Sequence, residues 1–111
     1  MDMQLHIKAT KLDLTPSLSV YIEKKLATLD KFVKRFDEAG VAALWVEVAR
    51  TTRHHHKGDV FMAEADLRLP GKILRAEATQ ADIHAAIDEL REKLLMEIKK
   101  YKTRTSPRRA R

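Results

Sequence analysis

The residues of this chain that could do chemistry are mostly cations, and they are unevenly placed. From Ile98 to the last residue run seven basic side chains (Lys99, Lys100, Lys102, Arg104, Arg108, Arg109, Arg111) with no acidic one. Residues 1 to 97 hold the other 15 Lys and Arg against 16 Asp and Glu, so their net charge is −1 and the surplus sits at the end. Clustered Lys and Arg suit a polyanion, because each phosphate they neutralise releases condensed counterions. A cationic last turn also complements the helix dipole, by about 0.3–1 kcal/mol. That accounts for Lys99, Lys100 and Lys102 but not for the four arginines beyond them.

Other chemistries find little support. Cysteine is absent, which removes thiolate catalysis, disulfides and Cys-bound zinc together. No acid/base pair stands out, and no Gly-rich phosphate loop is present. The run Arg53-His54-His55-His56-Lys57 tempts a metal reading. In an extended segment only His54 and His56 point the same way, however, and no carboxylate at ligand spacing completes a site. The expectation is no metal, no cofactor and no small-molecule substrate, with the loop a polar hairpin tip.

The elements that must position the cations follow from periodicity. Met3, Leu5, Ile7 and Ala9 alternate with Gln4, His6 and Lys8, which predicts a strand with one buried face. Thr15-Pro16 supplies an N-cap and a first-turn proline for a helix expected to run to about Asp37 and to end at Gly40. Strands are predicted over Val41 to Arg50, Val60 to Leu69 and Ile73 to Ala78, with Pro70-Gly71 turning the third into the fourth. A second helix opens at Thr79 or Asp82 and carries Ile83, Ile87, Leu90, Leu94, Ile98 and Tyr101 on one stripe. The fold class is therefore α+β, in the order β-α-β-β-β-α, with a four-stranded sheet and two helices packed on one face. The sheet's other face is polar, too acidic and too poor in aromatics for a base-stacking platform.

On the first helix, Leu18, Ile22, Leu26, Leu29, Val33 and Phe36 form the buried stripe. Lys24, Lys31, Lys34 and Arg35 lie roughly opposite, with Glu23, Asp30 and Asp37 along one flank. Either a basic ridge for a phosphate backbone or a solvated face with local ion pairs fits that helix alone. On the second helix Arg91 and Lys102 share a flank with His84, while Lys93 and Lys100 sit among Glu89 and Glu97.

The chain resembles the ribosome hibernation promoting factors and ribosome-associated inhibitors, the ribosomal subunit interface proteins, over roughly Met3 to Thr103. The resemblance rests on Leu14-Thr15-Pro16, Lys25-Leu26-Ala27-Thr28-Leu29-Asp30-Lys31, Leu74-Arg75-Ala76-Glu77, Asp82-Ile83-His84-Ala85-Ala86-Ile87-Asp88 through Lys93-Leu94, and Ile98-Lys99-Lys100-Tyr101-Lys102-Thr103. It implies a fold related to double-stranded RNA-binding domains. It also implies a partner, the small ribosomal subunit and its rRNA, whose messenger and transfer RNA channel such proteins fill. Lys25, Lys31, Lys93, Lys100 and Lys102 match the family's basic positions; Lys24, Lys34, Arg35, Arg91, Lys99 and Arg104 join them from the charge reading. His84, Thr28 and Met96 stand where the family commonly has Tyr, Lys and Arg, so its RNA contacts are not carried to those three positions.

Together these readings give a domain over 1–103 that binds ribosomes and a basic, disordered tail over 104–111. With no apolar run near the roughly 20 residues of a membrane span and no signal-peptide block, the expectation is a cytoplasmic protein, monomeric when free, that inhibits translation sterically without catalysis. Long family members carry a further C-terminal domain that promotes ribosome dimers. With the sequence ending at Arg111, dimerisation through that domain is not expected, and dimerisation with a helper protein stays open. A general double-stranded RNA-binding module is the main rival reading, and a metallonuclease built on His54 and His56 the weaker one.

Overall fold

Alternating apolar and polar side chains lay down four strands in the computed structural model: β1 (Gln4–Thr10), β2 (Ala43–Thr52), β3 (Asp59–Leu69) and β4 (Lys72–Gln80). The structure describes residues 3–37, 40–52 and 59–105. The histidine run His54–His56 and Arg108, Arg109 and Arg111 lie outside the described residues, as does the side chain of Arg104. The strands form one sheet in the order β1-β2-β3-β4. β2, β3 and β4 pair antiparallel, and Pro70-Gly71 joins the last two with Gly71 at φ 72, the left-handed conformation that a tight turn asks of a glycine. β1 and β2 are parallel, which demands a crossover. The helical segment between them supplies it.

That segment departs from the single helix expected. It divides into α1 (Pro16–Ala27), a one-turn α2 (Asp30–Val33) and a 3-10 turn over Lys34–Phe36. Thr15 caps α1 by accepting from the Leu18 amide at 3.1 Å. At the break the Thr28 hydroxyl donates to the Lys25 carbonyl at 2.6 Å, competing for the acceptors that would continue the helix. Thr28 and Leu29 keep right-handed helical dihedrals, so the apolar stripe carries through and Leu26, Leu29 and Val33 are all buried. Asp37, expected on a charged flank, instead latches the following loop, its carboxylate accepting from the amides of Val41 and Ala42 at 3.1 and 3.0 Å. Gly40, at φ 69, lies in that loop rather than at a helix end.

The last helix, α3 (Ile83–Thr105), settles the choice of cap. Asp82 accepts from the Ala85 amide at 3.1 Å, and Thr79 belongs to β4. Ile87, Leu90, Leu94 and Ile98 fall on one stripe and are buried against β3 and β4, while α1 lies alongside. The core is the single layer between sheet and helices, built from Ile22, Leu26, Leu44, Val48, Leu67 and these α3 residues. All the helices therefore cover one face of the sheet and leave the other uncovered.

Candidate nucleic-acid interface

Because the core fixes one side of each helix, the charged residues of α1, α2 and α3 are forced outward together. Residues 16–36 and 83–103 carry ten Lys and Arg against six Asp and Glu, a surplus of four positive charges in the helical layer. The layer is not evenly cationic.

Its firmest structure is at the α1/α3 seam. Tyr21 donates its hydroxyl to Asp88 Oδ1 at 2.5 Å, and the Lys25 ammonium lies 3.1 Å from the same oxygen. The Tyr21 hydrogen bond, followed by Lys25, holds the Asp88 carboxyl below its ordinary range; Asp88 in turn raises both Tyr21 and Lys25. The His84 ring meets the Tyr21 ring edge-on at 4.5 Å between centroids. One turn further along, Arg91 Nε donates to the Thr28 hydroxyl at 2.9 Å. His84 and Thr28, two of the family departures, thus serve the seam.

The seam takes up two of the expected cations, Lys25 and Arg91, and local pairs engage two more. Lys93 lies 3.1 Å from Glu89 one helical turn back and donates to the Glu77 carbonyl of β4 at 3.0 Å. Lys100 lies 3.5 Å from Glu97. Arg91 also reaches Glu92 at 2.9 Å. Lys24 sits on the opposite flank of α1, beside Met3 and Leu5 of the β1 side. The expected cations therefore do not form one uninterrupted surface.

Lys31 and Lys99 do converge. Both ammonium groups stand over the half-buried ring of Phe32, at 5.3 and 6.0 Å from its centroid, although one belongs to α2 and the other to α3. Phe32 was not singled out in the sequence; the available signal was an aromatic beside Lys31, just off the buried stripe. Lys34 and Arg35 are exposed on the 3-10 turn after α2, and Lys102 is exposed one turn past Ile98. Beyond Glu97, α3 carries Lys99, Lys100, Lys102 and Arg104 and no carboxylate. The cationic field thus strengthens toward the end of α3 and α2 beside it.

The uncovered sheet face is mixed in charge, with three of its carboxylates gathered in one row. Register places Lys8, Glu47, Glu64 and Glu77 in one row across all four strands, so that three carboxylates face each other on adjacent strands. The neighbouring row is His6, Trp45, Asp66 and Arg75. Burial first, then Glu47, Glu77 and Asp66, push the Glu64 carboxyl up. A carboxyl raised in the folded state destabilises the fold wherever it is ionised, and the cost disappears as pH falls through the raised value and then the ordinary one. Glu64→Gln should therefore raise stability at pH 7 by about 0.2–1 kcal/mol, the scale of a cross-strand pair. Thermal unfolding should show that gain shrinking with falling pH and gone below the ordinary glutamate range; a variant less stable at neutral pH would refute this account.

Among the described residues no group of three or more His, Asp or Glu side chains could hold a metal ion, and no helix is long and apolar enough to cross a membrane. Fold and charge together define a small α+β protein with a cationic helical layer behind a sheet whose open face carries a row of three carboxylates. Residues 5–106 match the family model described as sigma 54 modulation protein / S30EA ribosomal protein, and the chain belongs to that family. It is 31% identical over 103 residues to the ribosome hibernation promotion factor of Deinococcus radiodurans, covering 92% of this chain and 51% of that protein. To the ribosome hibernation promoting factor of Klebsiella oxytoca it is 28% identical over 100 residues, covering 90% of this chain and 94% of the relative. The chain thus spans about half the length of the Deinococcus relative and nearly all of the Klebsiella one. The N-terminal domain of Thermus thermophilus Protein Y superposes with a TM-score of 0.66 at 28% identity, covering 89% of this chain and 99% of that one. A ribosomal subunit interface protein from Coxiella burnetii, at 24% identity and a TM-score of 0.64 over 88% and 98% of the two chains, shares the fold.

Proposed function

We propose that this protein promotes ribosome hibernation by seating its helical layer against the rRNA of the small ribosomal subunit, in the channel that messenger and transfer RNA would occupy. The observation that carries the reading is the convergence of Lys31 and Lys99 on Phe32, at the strongly basic end of a layer with four surplus positive charges. The names of the family relatives, ribosome hibernation promotion factors, support the hibernation part of it. Phosphate contacts of this kind fix position without reading sequence, so the shape of folded rRNA is what the surface recognises. The action is steric, a wedge that excludes other RNA, and asks for no catalytic group. Lys31, Lys99, Lys100 and Lys102 are the principal phosphate contacts, with Lys34, Arg35 and Arg104 extending them. Lys25 and Arg91 hold the two helices in register at the seam, while Lys93 and Lys24 border the surface.

The test is pelleting with purified small subunits across a salt series. If about six phosphates are neutralised, affinity should fall on the order of a thousandfold between 50 and 200 mM monovalent salt. Binding that ignores salt would overturn the electrostatic contact. Equal competition by naked duplex RNA would reduce the protein to a general RNA-binding module, and failure to displace bound transfer RNA would remove the channel.

A further inference from the structure

The helices leave the outer face of the sheet bare, and that face is built unlike the rest of the molecule. Trp45, the only tryptophan in the chain, lies near its centre and is 41% exposed. His6 stacks on the indole at 3.9 Å between centroids, and the Arg68 guanidinium stands 4.7 Å from the ring centre. Next to this stack runs the row of Lys8, Glu47, Glu64 and Glu77, with Asp66 beside it, so that even with Lys8, Arg68 and Arg75 present the carboxylates outnumber the cations by one. Carboxylates set opposite one another on adjacent strands oppose folding, so sheet stability does not account for them. Glu47 accepts from Thr10 at 2.6 Å and Asp66 pairs with Arg75 at 3.3 Å. Among the described residues, neither Glu64 nor Glu77 has a cation in ion-pair contact with its carboxylate.

We infer that the uncovered sheet face is a docking surface for an extended, arginine-rich polypeptide segment, whose guanidinium groups pair with the Glu47, Glu64 and Glu77 row and lie beside Trp45. Charge complementarity selects that partner. A phosphate backbone would be repelled by the row, whereas a planar guanidinium matches a carboxylate with two parallel hydrogen bonds and also stacks on an indole. The face already sets a guanidinium beside a carboxylate and another against the indole with its own residues, Arg75 Nε at 3.3 Å from Asp66 and Arg68 at 4.7 Å from the Trp45 ring centre. The carboxylates stand one strand spacing apart, about 4.8 Å, so a peptide crossing the strands meets them in succession. The two sides of the protein would then hold different partners at once, RNA on the helices and a basic protein segment on the sheet. The inference does not depend on which RNA the helices contact.

Trp45 reports on the site directly. Adding an oligo-arginine peptide to the whole protein should shift Trp45 emission saturably, and Glu64→Gln with Glu77→Gln should weaken that binding by about tenfold or more. Because removing facing like charges favours the fold, the double variant retains its structure, which circular dichroism checks. Small-subunit pelleting of the same variant should match the unchanged protein. The inference is overturned if the peptide leaves Trp45 unaltered or binds the variant equally well. It is overturned as well if magnesium alone or an RNA oligonucleotide gives the same shift, if emission changes with protein concentration in the absence of peptide, or if the variant loses its small-subunit binding.

Discussion

Reversing both Lys31 and Lys99 to glutamate should weaken binding to small ribosomal subunits by about a hundredfold, roughly 3 kcal/mol, at moderate salt. In the proposed interface two phosphate contacts are lost, and two carboxylates are set against the same phosphates, where like charges cost several kcal/mol in total. The milder double change to alanine should lower the slope of log affinity against log salt by about two units, one for each contact. Neither pair of changes should disturb the fold, since an exposed cation over an aromatic ring contributes only about 0.5–1 kcal/mol. Lys24→Glu is the control for Lys31→Glu or Lys99→Glu taken singly, each of which should cost about tenfold. It changes one charge by the same amount on the far flank of α1, beside Met3 and Leu5, and should cost less than about tenfold. If Lys31→Glu and Lys99→Glu, each alone, cost no more than Lys24→Glu in pelleting assays, the Phe32 cluster is not where RNA sits.

The largest expected effect on stability comes from the core stripe of α3. Leu90 is fully buried between the sheet and the helical layer, and Leu90→Ala should destabilise the protein by about 2–5 kcal/mol through lost transfer energy and the cavity left behind. Against a total stability of about 5–15 kcal/mol that is a large share, and the unfolding temperature should drop by about 10 °C or more. Met96→Ala, on the same helix but 58% exposed, should stay within about 0.5 kcal/mol. Unfolding followed by circular dichroism separates the two, and equal shifts would mean that α3 does not pack as described.

Much of this architecture was legible from the residues because strand and helix periods differ. Met3, Leu5, Ile7 and Ala9 could be assigned to one face by parity alone, and the Leu18 to Val33 stripe by its spacing of three and four. The break at Thr28 was not legible for the same reason that the stripe was: both residues of the interruption keep helical dihedrals, so the period survives it. Local pairs such as Glu89 with Lys93 and Glu97 with Lys100 follow from one-turn spacing. The partnership of Lys25 with Asp88 does not, being 63 positions apart and made only when α1 lies against α3. Glu64 and Glu77 could be placed on the polar face from the alternation of their own strands. Adding Glu47 and Trp45 to it required the register of β2, which local pattern does not supply.

A surplus of four positive charges on the helical layer and a row of three carboxylates on the open sheet face give the described part of the protein a dipole along the axis that joins the two sides. In the field of a polyanion such a molecule experiences a torque as well as a pull, so it turns its helices forward before first touch. Association should then be fast and steeply dependent on ionic strength, with dissociation far less so, because orientation is gained during diffusion and not after collision.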